Sequence, residues 1–287
     1  ARFGDDFQEI ISVRDDVLTL FPGERIPLAV DAHRPLPGSD FFQPDAWRPC
    51  FSVAWLEKKR TKHPVAPGGA MIDPVAAYHA KKLEETAKAL DHNGFAVNVV
   101  EDLVQAKSLV MNEIVAQVRP KTVSWGGSMT LAKSGIQEAI KALDGIEVLD
   151  TADKSLTREE MYALRRRALL TDLFFTGSNA VTATRKLVNL DMIGNRTSAI
   201  GFGPLHVAVL AGRNKICENV EAAKRRIKEY AAPVNAMRLD KKTPCVKTGR
   251  CQDCASPDRI CNVWTVSEKS FPKGRIRVIL INQDLGF

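Results

Sequence analysis

Thr122-Val123-Ser124-Trp125-Gly126-Gly127-Ser128-Met129-Thr130-Leu131 joins a short apolar run to the start of a helical pattern through two glycines. Asp172-Leu173-Phe174-Phe175-Thr176-Gly177-Ser178-Asn179 and His206-Val207-Ala208-Val209-Leu210-Ala211-Gly212-Arg213-Asn214-Lys215 repeat the pattern of a buried strand that ends in small and polar residues. Amphipathic helical segments separate these runs. Residues 74–93 carry Val75, Tyr78, Leu83, Ala87 and Leu90 and stop at Asn93-Gly94. Asp102 can cap a helix bearing Leu103, Ala106, Leu109, Val110, Ile114 and Val118, which Pro120 ends. Thr157-Arg158-Glu159-Glu160 fits a capping box. Further strands are expected at Phe95–Val100, Ile146–Leu149, Leu187–Leu190, Val263–Val266 and Ile276–Ile281, and a helix at Val220–Tyr230. Strands alternating with helices predict an α/β fold, a doubly wound and mainly parallel sheet. Ligands in such sheets sit at the carboxyl ends of the strands.

Those ends hold the candidate binding residues. Gly126 and Gly127 let a ligand approach the backbone, and Ser128 and Thr130 add hydroxyls beside free N–H groups, a pattern that suits phosphate or carboxylate. Gly177, Ser178 and Asn179 follow a buried strand. Asp191, Gly194, Asn195 and Arg196 form a third polar turn, in which Arg196 could grip an anion with two N–H groups. Gly212 and Lys215 form a fourth. Each turn can equally be a satisfied strand-to-helix connection. No Ser-His-Asp set and no paired carboxylates at a strand end appear, so no catalytic base is assigned; Lys215 and Asp191 are the best candidates. His206, which opens an apolar strand, reads as a packed histidine.

Four of the six cysteines, Cys245, Cys251, Cys254 and Cys261, fall in a loop-like segment with spacing C-x5-C-x2-C-x6-C. Four thiolates suit zinc or an iron–sulfur cluster, although the spacing departs from the common motifs of both. Cys50 and Cys217 read as isolated packed or surface thiols. No secretory signal opens the chain, so reduced thiols and a cytoplasmic location are expected. The chain has 287 residues and a net charge of +7. That excess is mild and spread out, unlike the stripe of a nucleic-acid surface. Lys224-Arg225-Arg226 reads as a solvated helix face. No run is long enough for a membrane span.

Residues 1–70 hold 8 of the 15 prolines and lack sustained periodicity apart from a weak stretch near Phe7 to Leu20. Two readings stay open. They form a proline-rich arm, disordered or packed on a partner, or they are translated upstream sequence before a start at Met71. Residues 71–287 are expected to form the α/β domain.

Taken in order, Trp125-Gly126-Gly127-Ser128-Met129-Thr130-Leu131, Thr176-Gly177-Ser178-Asn179-Ala180-Val181-Thr182, Leu187-Val188-Asn189-Leu190-Asp191, Gly194-Asn195-Arg196, Gly212-Arg213-Asn214-Lys215-Ile216, the cysteine segment and Asp284-Leu285-Gly286 resemble the LUD-domain, or lactate-utilisation, family. The resemblance spans roughly Tyr78 to Phe287. It implies a fold similar to ribose-5-phosphate isomerase, glucosamine-6-phosphate deaminase and the CoA transferases. The isomerase acids are replaced here by Ser178-Asn179-Ala180, and its lysine by Asn189. Where relatives carry a glycine-containing turn, this chain has Thr184-Arg185-Lys186, which makes a tight hairpin harder to form with Arg185 at positive φ. The resemblance implies a subunit or accessory of a lactate-oxidising system that works beside iron–sulfur and FAD-linked proteins and binds a small anionic metabolite. A stand-alone enzyme on a phosphorylated or CoA-linked substrate, and a zinc-stapled ligand-binding or regulatory module, remain as alternatives.

Overall fold

The computed structural model describes residues 73–287 and the backbone of three short strands, β1 (Ser12–Arg14), β2 (Val17–Thr19) and β3 (Ile26–Pro27). These three pair antiparallel in the order β1-β2-β3. The expectations for residues 1–70 otherwise lie outside the described residues.

The domain begins with α1 (Pro74–His92), capped by Asp73, whose carboxylate accepts from Val75 N at 2.9 Å. It continues with β4 (Ala96–Val100), α2 (Leu103–Leu109, prolonged by a π-turn to Val118), β5 (Thr122–Trp125), α3 (Met129–Ala132), α4 (Ile136–Lys141) and β6 (Glu147–Leu149). Then come α5 (Arg158–Arg167), β7 (Leu173–Gly177), β8 (Ala180–Thr182), β9 (Leu187–Asp191), α6 (Asn195–Gly201) and β10 (His206–Gly212). The last elements are β11 (Ile216–Cys217), α7 (Val220–Arg226), α8 (Ala232–Arg238), α9 (Pro244–Thr248), β12 (Val263–Ser267) and β13 (Ile276–Ile281). The capping box at Thr157 and Glu160 is formed in both directions.

Six strands make one all-parallel sheet in the order β4-β13-β10-β7-β5-β6. Both of its faces are buried, so its central strands are apolar on both sides. Phe174, Val207, Val209, Val278 and Leu280 pack with α1 and α6 through Leu83, Leu90 and Ile200. Their sequence neighbours Leu173, Phe175, Ala208, Leu210, Ile279 and Ile281 pack with α2, α3 and α4 through Leu109, Leu131 and Ile140. The doubly wound expectation therefore describes the central sheet.

A second sheet, β11-β8-β9-β12, departs from the expectation of a single sheet. Its β8 and β11 are only three and two residues long, too short for a periodic signal. The Leu187 and Val263 strands belong to it rather than to the main sheet, and they pair antiparallel. The helix expected to end at Tyr230 runs on to Arg238, because a π-turn at Ile227–Ala231 admits Pro233 near the start of α8. Arg185 does take a positive φ, +79°, in the β8–β9 hairpin, where Arg185 N donates to Thr182 O at 3.1 Å.

That left-handed arginine costs about 1–2 kcal/mol relative to an unstrained residue. Arg185→Gly removes the strain, with part of the gain lost to a freer unfolded chain. The variant is expected to be more stable by up to about 1 kcal/mol in chemical denaturation.

Candidate functional site

The carboxyl ends of β5, β7 and β10 meet at one place, and two glycines make the approach possible. A Cβ on Gly177 would lie 2.6 Å from Ser128 Oγ, and one on Gly126 would lie 3.0 Å from Arg196 Cγ. Ser128 caps α3 by accepting from Leu131 N at 3.2 Å. Gly127 faces open space: a Cβ there would have nothing within 4 Å.

Arg196 is buried at the centre. Its Nε and Nη2 donate to Asp191 Oδ1 at 3.0 and 2.6 Å, and its Nη1 donates to Gly177 O at 2.9 Å and Asn189 Oδ1 at 2.6 Å. Nη2 also reaches Asn179 Oδ1 at 2.7 Å. The second Asp191 oxygen accepts from the backbone N–H groups of Arg196 and Thr197. A guanidinium has five N–H donors, and here each has an acceptor within the protein. The two-pronged grip expected toward a ligand is thus directed at Asp191. The arrangement welds the end of β7, the strand β9 and the start of α6. Gly194 supplies the turn before α6 with φ +83°, and its carbonyl accepts from Ser198 N. Asn195 opens that helix.

Asn189 lies in the same cluster, and its side-chain oxygen also accepts from Ser178 Oγ and Asn179 N. Its Nδ2 is buried without a partner among the described residues, as is Thr265 Oγ1, which stands opposite it in the β9–β12 ladder. Buried polar groups of this kind are normally satisfied by water or ligand.

Lys215 follows β10 and is buried. Nζ donates to Thr130 Oγ1 at 3.2 Å, and Thr130 in turn donates to Leu285 O at 3.3 Å. Gly286 crosses above them; a Cβ there would sit 3.2 Å from Nζ. Gly212 is needed for the same crossing, because its Cβ would meet Gln283 O at 2.6 Å. Lys215 makes no ion pair among the described residues. Burial, with Arg226 and Arg196 nearby, lowers its pKa from 10.5 to about 7. Arg226 departs from the expected solvated face. Lys224 and Arg225 are exposed, but Arg226 turns inward and donates to Asn214 O at 3.1 Å and Asn179 O at 2.9 Å. Its position between Ala223 and Ile227, both buried, was the available signal. His206 is largely buried, and desolvation lowers its pKa to about 4, so it is neutral near pH 7.

The four cysteines form a separate place. Cys245, Cys251, Cys254 and Cys261 line one small cavity of about 20 Å³, together with Lys228, Thr243 and Arg259. Thr243 Oγ1 lies 3.2 Å from Cys245 Sγ, and Arg259 donates to the carbonyls of Cys254 and Cys261. Burial works against the Lys228 ammonium, yet its hydrogen bond to Asp253 and the nearby Cys251 and Cys261 hold its pKa above the ordinary value. Burial pushes the Cys261 thiol up. Among the described residues no three His, Cys, Asp or Glu side chains lie together as a group that could hold a metal ion. Asn262, next to Cys261, donates its backbone N–H to Asp191 O at 3.0 Å. This bond ties the cysteine segment to the Arg196 cluster. Cys217 is buried apart from these four.

Arg196→Met leaves Asp191 as a buried carboxylate without its cation, and its expected cost is about 3–5 kcal/mol in chemical denaturation. Lys215 gives a pH signature. Its folded pKa lies below the unfolded value, so between the two the unfolded chain holds more protons and stability climbs as pH rises from about 7 toward 10. Lys215→Met is expected to be more stable than the parent at about pH 6 and to lose that climb, as read by denaturant midpoints across the range.

No curated protein matches the chain. A crystal structure of a DUF162 family protein from Deinococcus radiodurans is similar, at 14% identity over 71% of this chain and 98% of its own, with a TM-score of 0.39. The family model described as the LUD domain matches residues 83–281. That match covers more than half of the chain, and the protein belongs to the LUD-domain family.

Proposed function

We propose that the chain serves lactate utilisation as a subunit or accessory of a lactate-oxidising redox system, with a metal centre in its four-cysteine cavity and a small anion bound at the strand ends. The observation that carries this reading is the convergence of Cys245, Cys251, Cys254 and Cys261 on one cavity. Its donor chemistry suits a metal: four soft sulfurs line one cavity, with Lys228 and Arg259 beside them to balance thiolate charge, although the side chains would have to draw together to share an ion. Bound there, an iron–sulfur cluster would supply one-electron transfer, and zinc would supply a structural brace.

The chain's own residues contribute the rest. Arg259 fixes the backbone at Cys254 and Cys261, and so sets the loop in which the thiols lie. Lys228, held by Asp253 at 2.8 Å, places positive charge at the cavity wall. At the strand ends, Lys215 is a buried amine without a carboxylate partner among the described residues, and a carboxylate or phosphate beside it would favour its charged form. Gly127 leaves the approach to the glycine loop open.

The zinc reading has support of its own. Four thiolates are a common donor set for structural zinc. Zinc would make the segment a staple next to the Arg196 cluster.

Anaerobic purification of the full chain, followed by metal analysis and a visible spectrum, separates these readings. Iron with acid-labile sulfide and a bleachable chromophore supports the redox role. Stoichiometric colourless zinc supports the staple. Four free thiols and no metal overturn the metal centre. For the anion site, Gly127→Asp is expected to weaken binding of lactate and inorganic phosphate by on the order of tenfold or more, through like-charge repulsion. Because Gly127 faces open space, the folded core is expected to survive. Unchanged calorimetric affinity for both probes would remove the glycine loop from the site.

A further inference from the structure

At the opposite, amino end of the central sheet, three neighbouring strands are preceded by loops with large apolar side chains in solvent. Leu170 before β7 is 83% exposed, Phe202 before β10 is 87% exposed, and Phe271 before β13 is 81% exposed. The order β13-β10-β7 puts these loops side by side. They are also bound to one another. Arg275 is buried and donates to Ala199 O, Ile200 O and Pro204 O at 3.0, 2.8 and 3.0 Å, tying the Phe271 loop to the Phe202 loop. Leu205 N donates to Thr171 O at 3.2 Å, and a Cβ on Gly203 would lie 2.5 Å from Leu169 O, so the Phe202 and Leu170 loops are equally close. The three tips therefore project from one fixed platform.

Basic residues surround the tips. Lys269 and Lys273 flank Phe271, Arg166 precedes Leu170, and Lys121 opens the adjacent β5; all four are exposed. The acids at this end are largely engaged. Glu268 pairs with Lys186, Glu147 pairs with Arg167, and Asp172 accepts from the backbone of Lys121 and Thr122. Asp91 is exposed in the turn that binds the Phe271 loop, where Lys269 and Lys273 outnumber it, and Asp144 lies toward the edge strand β6. Exposed aromatic and aliphatic tips within a basic rim match a membrane interface with anionic headgroups. A rim rich in lysine suits a protein interface poorly, because lysine is depleted there. A second copy would bring like charges together.

We propose that the amino end of the central sheet is a peripheral docking surface for an anionic lipid bilayer. Leu170, Phe202 and Phe271 enter the headgroup boundary, and Lys121, Arg166, Lys269 and Lys273 face the headgroups. This places the platform at the end of the sheet opposite the glycine loop.

The test is co-sedimentation of the full chain with phosphatidylcholine vesicles, with and without phosphatidylserine. The chain is expected to pellet with the anionic vesicles and to be released by salt. The double variant F202S/F271S is expected to lose binding by on the order of tenfold or more, with its circular dichroism and Tm unchanged because both rings are already in solvent. K269E/K273E, which leaves the apolar tips in place, is expected to lose binding by a similar factor. Absence of pelleting with phosphatidylserine vesicles overturns the proposal. So does pelleting that neither variant weakens. Binding to soluble polyglutamate without binding to vesicles would also overturn it, and would assign the surface to an acidic protein.

Discussion

The Arg196 guanidinium is buried where β7, β9 and α6 converge, and those three elements depend on it for their relative placement. A charged fork in that position is tolerable only if every N–H finds an acceptor. The acceptors come from Gly177, Asn179, Asn189 and Asp191, residues drawn from two different sheets. The glycine at 126 follows from the same constraint, since a Cβ there would crowd Arg196, and the glycine at 177 leaves room for Ser128. Thus the small polar residues at the strand ends have an architectural reason to be small and polar, whatever ligand they also meet.

That dual demand explains which parts of the molecule are legible in the sequence. The α/β class is legible because its strands and helices differ in period and because Asp102, Thr157 and the Asn93-Gly94 stop carry local chemistry. The second sheet is not. β8 and β11 hold together through pairing with distant strands, and a two-residue strand has no pattern of its own. At the site, Lys215, Asp191 and the glycines are visible by their position after apolar runs. What position alone does not tell is whether Arg196 faces outward or inward. The fate of its donors depends on Asn189, a residue separated from it by a turn and unremarkable within its own apolar run. Arg226 is hidden for a related reason: three consecutive basic residues look alike in sequence, and helical rotation sends only one of them inward.

The two candidate centres differ in their electrostatics. Lys215 is a buried amine whose charged form is disfavoured by burial and by Arg226 and Arg196, and it lies under Gly286, so a negative group that reached it would favour its protonated form. The cysteine cavity has the opposite character, potential thiolates next to Lys228 and Arg259. The hydrogen bond from Asn262 to Asp191 is the short route between the cysteine segment and the Arg196 cluster.

The strand order also bears on how the chain is made. β4, the first strand of the domain, pairs with β13, the last, and β13 also supplies the partner for β10. During synthesis β4 leaves the ribosome with no neighbour available. At typical elongation rates it waits on the order of ten seconds or more for β13. Until then α1 and β4 expose apolar faces and β10 has an open edge. The central sheet therefore closes only once β13 has been made, and a truncation that removes β13 leaves both β4 and β10 without their shared partner.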